Sequence, residues 1–535
     1  MSALSRSIAL CTILGAVVAP ASHAQQKLPP DTVVMRKRTT YEDLQMFSQV
    51  LNQIRVNHPD SVDSHELLMA AIEGMVHAAD PHSFVVPAVR LSPAREQALK
   101  DGKLFPIPVE FEYHGGAPVV LAVAPGTAAA RQDILAGDQL IAVDGKPVTA
   151  GSAEELSVML SGDKGSSATL SLERLRTDGT LARLDRSVKR EKAGEATAVP
   201  AAFILDQAAG TGYVRITSFM NEKVADDLHD ALGRLEGKGM ARLILDLRDN
   251  GGGSVAQAAH VAGEFLPKGA IVYTSEGRKA ADTDTGRVSR SFWKSERHYP
   301  IVLLVNAGTA SASELVAGAL QDHDRALIVG HTTFGKSLLM RGFPMADGSM
   351  IELVVGHVRT PCGRIIQRQY HGVSLHDYYR LAGADRDTAS RPSCKTDGGR
   401  TVYGGGGIVP DLRLSDAPAA PLWLARAAED DLLLKWTGGW VTANGASLAS
   451  LDALAASPAL PAAAVSDFRA YALKDGITIP ADPESDAMLQ RVLVRAVAAT
   501  KWGDEGYYRL AAVTSGEVAT ARGAFAKAQS ILATR

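Results

Sequence analysis

Cysteine is scarce in this chain, three in 535 residues. Aromatic residues make up only 5%, and formal net charge is only -3 with no long block of one sign. After the first twenty residues no apolar run is long enough to cross a bilayer. These shortages argue against a disulfide-dense scaffold, a polytopic membrane protein, and a protein whose main partner is nucleic acid or an anionic membrane surface. Metal-ligand spacing is also missing. His65-Glu66 is followed by Met69 where a zinc helix needs its second histidine, and His323, His331 and His357 have no ligand spacing. No Walker lysine or dinucleotide spacing accompanies the glycines at 251–253. No metal or cofactor is expected.

What is present is an ordinary globular balance, 46% hydrophobic and 21% charged residues, in a length that suits two to four domains. The start reads as a leader for export to the periplasm or beyond. Arg6 supplies a positive flank, Ile8 to Ala19 is apolar but too short to span a membrane, and Ser22-His23-Ala24 places small residues where a signal peptidase reads. Cleavage is expected after Ala24, leaving a soluble or peripheral protein. Cys11 departs with the leader. Cys362 and Cys394 remain, an even pair that can bridge in an oxidising compartment or stay as two buried thiols.

Hydrophobic periodicity divides the remainder. Residues 25–99 form a helical region, with Leu51, Ile54, Leu67, Leu68, Ala71, Ile72, Met75 and Val76 at helical spacing and a break near Pro59. Residues 100–190 read as a β-rich module with strands at 119–123, 140–143, 168–174 and 181–188, a turn at Asp144-Gly145-Lys146, and a short helix near 152–160. Residues 191–412 alternate strand and helix, an α/β pattern. Residues 413–535 are alanine-rich and helical.

Three segments carry chemistry, each at a strand-to-helix junction where main-chain N–H groups can hold negative charge. In LILDLRDNGGGSV (243–255) a buried strand runs into three glycines, which let the backbone approach a substrate and aim amides at an oxyanion. In VLLVNAGTASASELVAGALQD (302–322) a strand and tight turn lead to Ser311 at a helix start, with the Ala312 N–H beside it. Taken alone, Ser311 reads as a helix cap completed by Glu314. In GHTTFGKSLLM (330–340) Lys336 follows a Phe-Gly step. Taken alone it reads as a solvated lysine, but burial would keep its amine neutral and able to accept a serine proton. A second serine-lysine spacing, Ser161 to Lys164, falls in a loop of the β-rich module without partner motifs and reads as coincidence.

Taken together, DLRDNGGG, GTASASE and TFGKS, with Lys336 standing 25 residues after Ser311, resemble the carboxyl-terminal processing (tail-specific) serine protease family. GYVRITSF at 212, QDHDRALIVG at 321, GRTVYGGGGIVPD at 399 and AAIEGMVHAADPHS at 70 agree with it, and LAGDQLIAVDGKPV resembles a PDZ domain. The resemblance, which spans roughly residues 40–412, implies an α/β core of the crotonase- or ClpP-like spiral of ββα units, carrying an inserted PDZ domain, an N-terminal helical segment and a helical C-terminal region. It implies Ser311 as nucleophile, Lys336 as general base, and an oxyanion hole from Ala312 N–H with Gly252 or Gly253. It puts the peptide-carboxylate loop at Phe105, Pro106, Ile107, Pro108 and Val109, without the family's glycines, and makes the 404–407 glycine run a structural turn. Many members carry a glutamine four residues after the lysine to orient the amine. Here that position is Met340, whose thioether donates no hydrogen bond. The implied partners are protein or peptide substrates with apolar C-termini, with room for an adaptor protein and for peripheral membrane contact. A non-catalytic peptide-binding scaffold of the same fold is the alternative. A third reading, an acyl-CoA enzyme, rests on fold analogy alone.

Overall fold

The computed structural model describes residues 38–86, 103–114, 117–123, 138–148, 153–175, 181–191, 197–289, 297–346, 348–371, 390–415, 420–429 and 432–533, with isolated positions between them. The expected leader, 1–24, lies outside the described residues.

Two helices, Thr40–Asn57 and Ser64–Ala79, open the described chain. Thr39 accepts the Glu42 N–H, and the Glu42 side chain takes the Thr39 N–H in return, a reciprocal cap that starts the first helix. Pro59 ends it, since the residue before a proline avoids the helical region.

After β1 (Phe84–Val86) comes the small module of β2 (Val109–His114), β3 (Ala117–Val123), β4 (Gln139–Val143), β5 (Lys146–Pro147), the helix Ala153–Leu160, β6 (Ser167–Leu175) and β7 (Leu181–Lys189). Its sheet runs β2-β3-β4-β6-β7 with β5 on β4, all antiparallel. Leu140, Leu156, Leu160, Leu170, Leu172 and Val188 fill its core. Asp144 and Gly145 both have positive φ, the conformation of a tight hairpin turn.

The main sheet contains β8 (Ala201–Asp206), β9 (Thr211–Arg215), β10 (Arg242–Asp246), β13 (Ile301–Val305), β14 (Leu327–Gly330) and β19 (Leu412–Arg413) in the order β19-β14-β13-β10-β9-β8. All neighbours pair in parallel except β8 with β9. The parallel strands read as unbroken apolar runs because both faces are covered. Leu243, Leu245, Ile301, Leu303 and Val305 meet the helices Val224–Gly237, Val255–Gly263 and Ala312–Asp322. The alternate residues Ile244, Val302 and Leu304 point to the other face, where Ala512, Val518, Ala521, Phe525, Ala528 and Ile531 cover them. These belong to the helices Pro483–Val513, Gly516–Gly523 and Phe525–Leu532. The C-terminal region is therefore divided. Its earlier helices, from Leu422–Glu429 to Ala462–Lys474, gather with most of Pro483–Val513 around Trp436, Phe468, Leu489 and Leu493 as a core of their own, while the end of Pro483–Val513 and the two helices after it complete the α/β layer.

A second, antiparallel sheet flanks this one: β1-β16-β11-β12, with β15 also on β16, where β11 is Ile271–Gly277, β12 Asp284–Arg287, β15 Leu338–Pro344 and β16 Met350–Arg359. Periodicity alone gives no sign of β8, β11, β12 or β15. Among the described residues, no helix is long and apolar enough to cross a membrane.

Candidate functional site

At the end of β10 the chain turns away from the sheet around one buried carboxylate. Asp246 accepts the Tyr213 hydroxyl at 2.7 Å, Arg215 at 3.1 Å, and the Arg248 N–H and Nε–H at 3.0 and 2.9 Å. Burial pushes its carboxyl up, but Arg248 and Arg215 outweigh that and hold it below the usual range. Arg248 in turn reaches Glu517 of the C-terminal helix Gly516–Gly523.

Two residues further on, Asn250 joins this loop to the one after β13. Its carbonyl accepts Ala310 N–H at 3.0 Å and Ser313 Oγ–H at 2.9 Å. Its side chain donates to Ile216 O at 3.1 Å and accepts Gly252 N–H at 3.0 Å. Asn306 repeats the stitch, accepting Asp249 N–H at 2.9 Å and donating to Asp249 Oδ1 at 2.7 Å. The glycine loop and the serine loop are thus one rigid unit.

Gly252 and Gly253 adopt φ of +100° and +139°, which other residues rarely do. A Cβ on Gly252 would sit 2.8 Å from Ala312 N and 2.9 Å from Ser311 Cβ, and one on Gly253 would sit 2.5 Å from Met220 N. The Gly252 N–H is already bonded to Asn250. The N–H groups of Gly253 and Ala312 have no acceptor among the described residues, so they are the pair free to hold an oxyanion.

Ser311 stands at the N-cap of Ala312–Asp322 with φ 54° and ψ -118°, a strained conformation for a residue with a side chain. Its N–H donates to Glu314 Oε2 at 2.9 Å. The same oxygen accepts Lys336 N–H at 2.9 Å, and Glu314 Oε1 accepts Gly335 N–H at 2.7 Å and the Thr333 hydroxyl. Glu314 is fully buried, and burial pushes its carboxyl up to about 7 against these four donors. For Lys336, burial pulls the amine below its ordinary value, with the charges of Asp80 and Glu314 acting the other way. The structure therefore brings Ser311, Ala312, Gly252, Gly253 and Lys336 into one neighbourhood through Glu314, which the sequence suggests only as a capping partner.

Asp80 and His82, quoted above only as a flank, also belong here, since both act on Lys336 or are acted on by it through charge. Met340 lies in β15, paired with Val354. Cys362 and Cys394 form a disulfide with Cα atoms 6.0 Å apart. The glycine run holds structure: Gly404, Gly405 and Gly407 donate their N–H groups to Pro392, Ile365 and Ile366 carbonyls. In the small module, Phe105 N–H donates to Gly162 O at 2.8 Å, and Pro106 and Pro108 have no N–H. Within the expected loop 105–109 the amides left to offer a carboxylate are those of Ile107 and Val109, the latter at the start of β2. Ser161 Oγ bonds back to Ser157 O, and Lys164 lies 5.4 Å over the Phe105 ring.

A parallel sheet ending in glycine and serine loops is thus preceded in the chain by a small antiparallel module. The model for peptidase family S41 matches residues 210–376 and that for the PDZ domain residues 119–174. A carboxy-terminal-processing protease of Bartonella bacilliformis is 32% identical over 337 residues, 62% of this chain and 74% of that protein. The carboxy-terminal processing protease CtpA of Bacillus subtilis is 31% identical over 363 residues, 64% of this chain and 71% of that protein. Among solved structures, the photosystem II D1 C-terminal processing protease is 25% identical with a TM-score of 0.44, covering 73% of this chain and 90% of its own. The chain belongs to the carboxy-terminal-processing proteases of peptidase family S41.

Proposed function

We propose that this chain is an exported serine endopeptidase that cuts proteins at or near apolar C-termini, with Ser311 as nucleophile and Lys336 as general base. The observation that carries the reading is the shared anchor: Glu314 Oε2 receives the main-chain N–H of both residues, at 2.9 Å each. The buried amine of Lys336, held below its ordinary pKa, takes the Ser311 hydroxyl proton as the oxygen attacks the scissile carbonyl. Charge on the carbonyl oxygen passes to the N–H groups of Gly253 and Ala312. Lys336 then returns the proton to the leaving amine, and water, deprotonated by the same amine, hydrolyses the acyl-enzyme.

His82 is the other buried base nearby. Its Nε2 is engaged by Tyr378 at 2.8 Å, and burial, then the charge of Lys336, bring its pKa down to about 4. Lys336 is therefore the better base. Apolar preference is supported by Met220, 70% exposed, whose main chain abuts Gly253; a thioether is an adaptable apolar contact. The PDZ module is suited to capture by strand addition on β2, an edge strand, more than by a grip on the terminal carboxylate, because the loop 105–109 has two prolines and its Phe105 N–H is taken by Gly162 O. Export is supported by the leader and by the Cys362–Cys394 bridge.

The test is cleavage of a reporter with an apolar tail, together with fluorophosphonate labelling, by wild type and Ser311→Ala. Wild-type turnover and labelling, both lost in the variant while its circular dichroism is unchanged, is the expected result. Binding of the tail by wild type with no turnover and no labelling would instead give the scaffold reading.

A further inference from the structure

The surroundings of Lys336 include polar groups that the proposed chemistry leaves unused. The turn Asp80-Pro81-His82-Ser83 is fixed by Asp80, which accepts His82 N–H and Ser83 N–H at 2.7 Å and Ser83 Oγ–H at 2.6 Å. Ser83 Oγ also accepts Val354 N–H at 2.9 Å, pinning the turn to β16. His82 is 7% exposed, and its Nε2 lies 2.8 Å from the Tyr378 hydroxyl oxygen.

Donor counting fixes the proton in that contact. Gln367 Oε1 accepts Ser337 N–H at 2.8 Å, so its amide nitrogen is the atom 3.0 Å from the Tyr378 oxygen and donates to it. The Arg368 guanidinium stacks on the same ring and adds positive charge beside that oxygen. With Gln367 donating to the oxygen and a cation beside it, the contact is assigned with the Tyr378 O–H donating to His82 Nε2. His82 is therefore a neutral acceptor at Nε2 with its proton on Nδ1. The charged groups around it are Lys336 and Arg368, which resist its protonation, and Asp80, which favours it.

The same residues grip the segment that carries Lys336. Ser337 N–H is held by the Gln367 side chain, and Gly335 O accepts Arg368 N–H at 2.9 Å. The Arg368 guanidinium lies 4.3 Å over both Phe334 and Tyr378, and the Tyr378 ring meets Phe334 edge-on at 5.9 Å. Phe334, Gly335 and Ser337, the flanks of Lys336, are each held by Gln367, Arg368 or Tyr378. His82 ties Tyr378 down in turn.

We propose that Tyr378 and His82 are positioning residues for Lys336: their hydrogen bond holds Tyr378, and with it Gln367 and Arg368, on the flanks of the lysine and keeps water from its amine, in the place of the donor that position 340 lacks. This rests on reading Lys336 as the base. Protonating His82, or deleting the Tyr378 hydroxyl, removes the lock. The lysine turn then loosens and its amine hydrates. A hydrated amine binds its proton more tightly, so the base is spent at neutral pH.

The experiment compares wild type, Tyr378→Phe, His82→Gln, His82→Leu and Lys336→Ala on one apolar-tailed peptide across the pH range. Tyr378→Phe and His82→Leu are expected to lose roughly tenfold to a hundredfold in kcat with KM unchanged. Their acid limb should move to higher pH, so that part of the loss returns in alkali. His82→Gln, whose amide oxygen still accepts from Tyr378, should keep most of the rate. Unaltered kcat and an unmoved limb in Tyr378→Phe would overturn the proposal. So would an equal loss at every pH accompanied by a lower Tm. Should Tyr378→Phe not fold, His82→Leu reads the other end of the same bond. A dead Lys336→Ala beside an unaltered Tyr378→Phe removes the positioning role alone, whereas a fully active Lys336→Ala removes the base assignment itself.

Discussion

Ser311 and Lys336 present their main-chain N–H groups to a single oxygen of Glu314, each at 2.9 Å, so the two nitrogens lie no further apart than twice that distance. A residue three positions into the helix thereby sets the separation of two loops that are 25 residues apart in sequence. An amide can keep that pair on its one oxygen only by turning its NH2 toward the Gly335 N–H and the Thr333 hydroxyl, which Glu314 Oε1 now accepts.

Glu314→Gln should therefore leave at least one main-chain donor facing an NH2 group. The expected cost is about 1–3 kcal/mol of stability and roughly a hundredfold in kcat, read by urea unfolding and steady-state kinetics. Wild-type values in both would mean that the shared anchor is incidental. The pH dependence follows from the same group. Its folded pKa is raised from 4.5 to about 7, so its contribution is fully present below the unfolded value and is lost as pH rises through about 7. That slope should vanish in the glutamine variant.

Asp80 favours the charged form of Lys336. Asp80→Asn removes that attraction, lowers the lysine pKa further, and should carry the acid limb of kcat to lower pH. A limb that stays in place or moves to higher pH would break the link between Asp80 and the base.

Gly252→Ala would put a methyl group 2.8 Å from Ala312 N and 2.7 Å from Ala310 O, at a φ of +100°. Blocking one oxyanion donor costs about 10²–10³ in kcat. Labelling by a fluorophosphonate, which also places an oxygen there, should fall in parallel. Normal labelling would put the oxyanion site elsewhere.

The strain at Ser311, with φ 54°, can be measured apart from chemistry. Alanine inherits it, but glycine does not. Ser311→Gly is expected to be more stable than Ser311→Ala by about 1 kcal/mol, after offsetting strain relief against the greater freedom of the unfolded glycine. Both should be inactive. Equal melting points would show that no strain is stored there.

Much of this was legible where burial is two-sided. Leu243 to Leu245 and Ile301 to Val305 are unbroken apolar runs because both faces are covered, and the glycine, serine and lysine segments stand at the junctions that such runs define. The flanking sheet was not legible. Strands such as Ile271–Gly277 and Leu338–Pro344 are half-buried and do not alternate cleanly. Nor could spacing reveal the partners of the lysine, since His82 and Tyr378 meet across 296 residues of sequence. The C-terminal layer was hidden for a different reason. Ala512, Ala521, Ala524 and Ala528 let helices lie close against the sheet while giving almost no hydrophobic signal.

Phe525→Ala tests that layer. The side chain is 5% exposed, packs on the sheet, and lies 4.6 Å beneath the Arg242 guanidinium. A loss of about 3–5 kcal/mol is expected by chemical denaturation, with binding of a hydrophobic dye as the far face opens. A loss below about 1 kcal/mol, at the level of an ordinary surface substitution, would show that these helices are mere appendages.

The floor of the sheet, from Phe203 to Val329, is roofed by residues that come later in the chain, from Ala512 to Ile531. Strands formed before those helices dock are thus left uncovered on one face, and Arg248 has no Glu517 to hold. The far face is the last part of this layer that the chain can close.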